Sequence, residues 1–217
     1  MRPTLPTAFL SLPIAHRALH DRAMGRPENS RAAIRAAVAA GYGIEIDLQI
    51  SSDGVAMVFH DEELGRLTGK TGWVKHRSAT ELGQTRLLDA EDGIPTLAEV
   101  LALIDGRVPL LIELKDQTLT PGGRIGPLEV ATAHALAGYK GLVALMSFNP
   151  DSVAEMAQLC PHLPRGLTTG AYDYEGYAPL PPATCDRLRE IPDYERCAAS
   201  FLSHEAVSQG QPDMVSL

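Results

Sequence analysis

The chain has 217 residues, 45% of them hydrophobic and 21% charged, with a net charge of −8. That is the make-up of one soluble globular domain with room for a substantial core. The acidic balance argues against nucleic acid as the main partner but leaves an anionic substrate open, because a bound cation can invert the local field. No apolar run approaches the ~20 residues of a membrane-spanning helix, so stable membrane insertion is not expected. Three cysteines without metal-ligand spacing (Cys160, Cys185, Cys197) read as reduced thiols of a cytoplasmic protein.

Pro3, Pro6 and Pro13 interrupt the apolar start, so residues 1–15 read as a leader and a first strand rather than a signal sequence. From there short apolar runs alternate with amphipathic segments, the pattern of a parallel α/β fold. The first strand closes Leu12-Pro13-Ile14-Ala15 and meets His16-Arg17. Pro27-Glu28-Asn29-Ser30 supplies an N-cap, Asn29 or Ser30, for the Ala-rich helix Arg31–Ala40, and Gly41 suits its C′ position. A second strand, Gly43–Ile50, runs into Ser51-Ser52-Asp53-Gly54, a hairpin signal. With Asp53 and Gly54 as a two-residue turn, Ile50 faces Met57 and Asp47 faces His60; alternation places Glu45 on the same face.

Residues 62–95 form a long connection rich in Gly and charge, holding the single tryptophan, Trp73. A helix over 97–105 leads to a strand at 109–114, apolar almost throughout as a strand buried on both faces should be. A helix at 127–137, a strand at 142–148 and a helix opened by Asn149-Pro150-Asp151 follow. The strand Arg165–Thr169, a helix at 183–190 and a strand at 197–203 end the pattern. Polar residues at the C-terminal ends of six strand–helix units suggest a TIM-type (β/α) barrel with a β-hairpin after its second strand. The barrel is expected to be incomplete, since a closed one needs eight strands and typically ~250 residues. Residues 1–205 read as that domain and 206–217 as an unpatterned tail.

Charged residues in or beside buried strands are costly unless paired or bound to a metal. This chain makes that choice four times: at His16-Arg17, at Glu45 and Asp47, at His60-Asp61, and at Glu113 with Lys115. Glu45, Asp47 and Glu113 are hard oxygen donors with no cysteine nearby, a set for Mg2+ or Ca2+ rather than Zn2+. His16 and His60 titrate near neutrality and suit general acid and base work. Arg17 and Lys115 suit phosphate. Lys115 shares a face with Glu113, whereas Arg17 requires the strand to end at His16. Asp61 reads as a turn or cap residue with orientation of His60 as its other role. Glu28 reads as helix-start charge within reach of the site. His20, His76, His134, His162 and His204 lack such a setting and read as surface or structural.

Taken in order, His16-Arg17, Pro27-Glu28-Asn29-Ser30, Glu45-x-Asp47, Asp53-Gly54, His60-Asp61 and Glu113-x-Lys115 resemble the glycerophosphodiester phosphodiesterase family, and Ser147-Phe148-Asn149-Pro150 matches a further strand-end motif. The resemblance covers about residues 10–205. It implies a TIM barrel that hydrolyses glycerophosphodiesters such as glycerophosphocholine to glycerol 3-phosphate and an alcohol. His16 and His60 would then be the acid/base pair, Glu45, Asp47 and Glu113 the ligands of one divalent cation, and Arg17 and Lys115 the phosphate contacts. The family usually has Gly after the His-Arg pair, where this chain has Ala18, and generally continues into two further strands that residues 207–217 do not resemble. Two alternatives stay open: a truncated, poorly folded or non-catalytic relative, and a lysophospholipase D-like phosphodiesterase. Oligomeric state also stays open.

Overall fold

Strand β2 (Gly43–Ile50) organises the molecule. Its alternation sends Ile44, Ile46 and Leu48 to one side of the sheet and Glu45, Asp47 and Gln49 to the other, all of them buried. It pairs in parallel with β1 (Ile14–Ala15) and with β4 (Leu110–Leu114). Beyond β4 the parallel ladder continues through β5 (Val143–Ser147), β6 (Arg165–Thr169) and β7 (Phe201–His204). The short β3 (Ala56–Val58) is the antiparallel hairpin partner of β2. In this computed structural model, which describes residues 2–119, 123–175, 178 and 180–205, the sheet order is β1-β2-β4-β5-β6-β7. The sheet curls into a half-barrel, as expected of an incomplete TIM-type barrel, and among the described residues β1 and β7 do not meet.

Helices α2 (Arg31–Ala40), α5 (Leu97–Ile104), α6 (Pro127–Leu136) and α7 (Pro150–Leu159) sit side by side on the outer face. Ala33, Ile34 and Ala37 of α2 and Val100 and Ile104 of α5 join Ile44, Ile46, Leu48, Ile112 and Leu145 in the main core. Local chemistry starts these helices where the sequence says they should start. Ser30 caps α2 by accepting from Ala33 N, and Thr96 and Glu99 form a reciprocal capping box on α5. Gly41 ends α2 in the left-handed conformation. The last helix, α8 (Pro182–Arg189), lies close to its expected bounds.

Two stretches hold more structure than their patterns announce. A short helix, α1 (Ala8–Ser11), precedes β1 and inserts Phe9 among Leu111, Ala144 and Met146 on the inner face of the sheet. The connection 62–95 carries α3 (Gly65–Thr68) and α4 (Ala79–Gln84) and closes on its own cluster of Met57, Phe59, Leu64, Leu67, Val74, Leu82, Leu87 and Ile94. It is a packed lobe rather than a plain connection.

Two expectations need correction. The hairpin pairs Ile50 with Ala56 and Leu48 with Val58, one residue out of the expected register, so Asp47 and His60 are not cross-strand partners. The loop is one residue longer than a two-residue turn. Ser51 N donates to Val55 O, and Gly54, at φ 79°, takes the left-handed position that closes a three-residue loop. The last strand begins at Phe201 rather than Cys197, because Cys197 N turns back onto Asp193 O and Ala198 is left-handed at φ 48°. The tail expected over 206–217 lies outside the described residues. No helix among the described residues is long and apolar enough to cross a membrane, and all three cysteines are buried and free.

Candidate active site

Each polar group expected at a strand end is found at the C-terminal side of the sheet, and the local backbone explains how it gets there. β1 stops at Ala15, after which Arg17 and Ala18 both take left-handed conformations (φ 53° and 66°). The turn directs the Arg17 backbone N–H onto Glu45 Oε2 at 2.8 Å and leaves His16 Nε2 4.0 Å from the same oxygen. A glycine adopts such a φ without strain, which gives a physical reason for the family's Gly at the position of Ala18.

The parallel register sets Asp47 directly beside Glu113. One carboxylate oxygen from each of Glu45, Asp47 and Glu113 lies within 4.8 Å of the others, and all three residues are buried. Lys115 Nζ is 2.6 Å from Glu113 Oε1 and 2.8 Å from Asp47 Oδ1. Asn29, held left-handed at φ 57°, donates from Nδ2 to Asp47 Oδ2 at 2.8 Å, and Arg17 Nε approaches that oxygen at 3.6 Å. Both expected phosphate contacts, Arg17 and Lys115, are therefore in the site and ion-paired to its carboxylates.

The electrostatics follow from this crowding. Burial, then repulsion from Asp47 and Glu113, pushes the Glu45 carboxyl well above its usual range. Burial raises Glu113 as well. Burial also works to raise Asp47, but Lys115, His60 and the Asn29 amide hold it low. Lys115 is buried too, yet Glu113 and Asp47 keep its ammonium above the usual range. Glu45 Oε1 has no hydrogen-bond partner among the described residues. An orphaned, buried carboxylate oxygen among two other carboxylates is what a hard divalent cation would satisfy, so the donor set fits Mg2+ or Ca2+.

His60 reaches the site by a bend rather than by strand pairing. Phe59 N donates to Asp47 O at 2.9 Å as the last ladder contact, and Gln49 Nε2 then holds the His60 carbonyl at 3.0 Å. His60 Nδ1 lies 2.7 Å from Asp61 Oδ1, so Asp61 takes the orienting role set beside its turn role in the sequence. Arg66, on α3, clamps Asp61 with Nε at 2.7 Å and Nη2 at 2.9 Å, and donates to both oxygens of Glu28 at 2.9 and 2.7 Å. Glu28 in turn accepts from Arg17 Nη1 at 3.0 Å. A continuous chain, Arg17–Glu28–Arg66–Asp61–His60, thus ties the two histidine-bearing segments together. Despite burial, His60 and Arg66 hold the Asp61 carboxyl well below the usual carboxylate range. Burial, aided by the neighbouring Arg17 cation, lowers His16 and favours its neutral imidazole.

Two cavities meet here. One of about 680 Å³ lies along β1 and is lined by His16, Glu45 and His204. The other, about 950 Å³, extends toward Trp73 and α8. His60, Glu113, Lys115 and Phe148 border both. Pattern reading missed Arg66, which joins nearby Asp61 to Glu28, 38 positions away, and it offered Asn29 as one of two caps, whereas Ser30 caps the helix and the Asn29 amide serves Asp47. It also set aside His204, which bonds Thr169 Oγ1 through Nδ1 at 2.8 Å beside the first cavity.

A parallel half-barrel with carboxylates, imidazoles and paired cations gathered at the C-terminal strand ends defines a TIM-type catalytic scaffold. The chain belongs to the glycerophosphoryl diester phosphodiesterase family, whose model matches residues 16–216. It is 35% identical to a glycerophosphodiester phosphodiesterase of Caldanaerobacter subterraneus subsp. tengcongensis over 72% of this chain and 66% of that protein. It is 32% identical to the uncharacterized protein YqiK of Bacillus subtilis over 72% of this chain and 67% of that protein. The matched stretch therefore spans about two thirds of these curated relatives. Among solved structures it resembles an Oleispira antarctica phosphodiesterase in complex with the product sn-glycerol-3-phosphate. That match has a TM-score of 0.68 at 26% identity and covers 91% of this chain and 76% of the other. A Thermotoga maritima glycerophosphodiester phosphodiesterase shares the fold, with a TM-score of 0.64 at 23% identity and coverage of 89% and 73%.

Proposed function

We propose that this chain hydrolyses glycerophosphodiesters to glycerol 3-phosphate and an alcohol, with His16 and His60 as its acid/base pair. The observation that carries the reading is the convergence, on one end of one sheet, of three buried carboxylates within 4.8 Å and two imidazoles bordering a shared cavity. Glu45, Asp47 and Glu113 would hold a divalent cation, Mg2+ or Ca2+, which when bound supplies positive charge to the phosphoryl oxygens. Arg17 and Lys115 would turn to the phosphate once a cation relieves them of the carboxylates they now pair with.

The substrate's own glycerol 2-hydroxyl is the proposed nucleophile. One imidazole takes its proton as the new O–P bond forms, and the other protonates the leaving alcohol as the old P–O bond breaks. Water then opens the cyclic phosphate with the roles exchanged. Intramolecular attack draws on high effective molarity, so the protein's task is to position groups and place protons. Asp61 supports this by holding His60 Nδ1 and leaving Nε2 for the reaction. The reaction fits a cytoplasmic protein with free, buried cysteines.

Glycerophosphocholine hydrolysis assayed with Mg2+, Ca2+ or EDTA, beside His16→Ala and Glu45→Ala, tests the proposal. Turnover that needs a divalent cation and disappears in both variants is expected. Metal-independent turnover, or parental rates in either variant, would overturn it.

A further inference from the structure

The larger cavity continues from His60, Glu113 and Lys115 away from the carboxylate cluster, toward the lobe of residues 62–95 and α8. At about 950 Å³ it has room for more than a phosphoglycerol unit. Three aromatic side chains line it: Trp73 from the lobe, Phe148 after β5 and Tyr172 after β6. Its other distinctive lining is acidic, namely Glu62, Glu63 and Asp116.

The charge balance of this wall is uneven. Each cation on the cavity already has a carboxylate partner: Arg66 with Glu28 and Asp61, Lys115 with Asp47 and Glu113, Arg187 with Asp193. Among the described residues Asp116 accepts only neutral donors, from Thr118 and Asn149. No Lys, Arg or His among the described residues lies within ion-pair distance of Glu62 or Glu63. The free charge facing the cavity is therefore negative. Burial, then repulsion from Asp116 with smaller contributions from Glu63 and Asp61, raises the Glu62 carboxyl against the opposing field of Lys75, which lies beyond ion-pair distance. Such a wall repels a phosphodiester anion toward Lys115 and Arg17 and favours a cation on the far side of the phosphate. Aromatic faces beside carboxylates attract a quaternary or primary ammonium group specifically.

We infer that this cavity is the alcohol side of the diester site and selects a cationic head group, an ammonium-bearing alcohol, through Trp73 and the acids Glu62 and Asp116. The inference rests on the phosphodiesterase reading for its catalytic meaning, but its binding half can be read without turnover.

Trp73 is the single tryptophan, so its fluorescence reports on this wall alone. Titration of the full chain with choline should give a saturable change. Its neutral isostere 3,3-dimethyl-1-butanol should bind at least ~10-fold more weakly, the equivalent of about 1.4 kcal/mol. Glu62→Gln should remove that difference. In turnover, Glu62→Gln and Trp73→Leu should each raise KM for glycerophosphocholine ~5–10-fold. Both should leave kcat and the kinetics of glycerophosphoglycerol unchanged, and Trp73→Phe should restore most of the KM.

Saturable choline binding without hydrolysis of any diester would sink the catalytic reading and keep this subsite. Equal affinity for choline and its neutral isostere would overturn the subsite. So would equal kcat/KM for the two diesters, or hydrolysis of micellar lysophosphatidylcholine in preference to glycerophosphocholine with no effect of Glu62→Gln.

Discussion

The two faces of β2 obey opposite rules although their residues alternate along one strand. On the outer face Ile44, Ile46 and Leu48 are fully buried against helices and carry no polar atom that needs a partner. On the inner face Glu45 and Asp47 are just as buried, yet Glu45 keeps an orphaned oxygen and a raised carboxyl, and Asp47 stays ionised because Lys115, His60 and Asn29 attend it. The outer face stabilises the sheet. The inner face costs stability, and the outer face supplies the surplus that tolerates it.

The sharpest way to break this comparison is to neutralise the inner face. Glu45→Gln is expected to cut glycerophosphodiester turnover by ~10³-fold or more through loss of the cation, while the variant still folds. Its effect on stability should depend on pH with a definite sign. Because the folded carboxyl sits above its usual 4.5, the unfolded chain loses that proton first, so the metal-free parent loses stability as pH rises above 4.5. The advantage of Glu45→Gln should be absent below pH 4.5 and grow above it in thermal melts with EDTA. A variant less stable than the parent at pH 7 would refute the account of the inner face.

The outer face predicts the reverse. Leu48→Ala should lower stability by about 2–4 kcal/mol in denaturant melts and leave cation affinity of the folded fraction unchanged. Between the extremes lies the tether on His60. Arg66→Met should reduce kcat ~10-fold with little change in KM, since it acts through Asp61 rather than on substrate. Asp61 itself has a folded value below its usual 3.8, so its contribution is complete above 3.8 and lost as pH falls below it. Asp61→Asn should be less stable than the parent at pH 7, with the gap closing in acid. The smallest effect is expected at the hairpin. Gly54→Ala, at φ 79°, should cost about 1 kcal/mol and leave the carboxylates in register.

Much of the site was legible because it depends on short-range geometry. Alternation along β2 and the Glu113–Lys115 spacing place four of the site's groups with no knowledge of the rest of the chain. Helix limits were legible for the same reason: Ser30, Thr96 and Gly41 act on atoms within four residues of themselves. The hairpin register was read one residue out, because Asp-Gly marks a turn without stating whether the loop holds two residues or three. His60 still arrives at the site, delivered by the bend after Val58.

What the sequence determined by itself is thus the list of groups and their order along the strands, since period-two alternation and capping are local physics. Tertiary structure alone decided which of those groups answer one another. Arg66 reaches Glu28 across 38 positions, Asn29 reaches Asp47, and Trp73 joins Phe148 and Tyr172 on one wall. No local rule carries those pairings. They arise because curling the sheet brings the C-terminal ends of several strands to one mouth, where burial turns each charge into a demand for a partner from another segment.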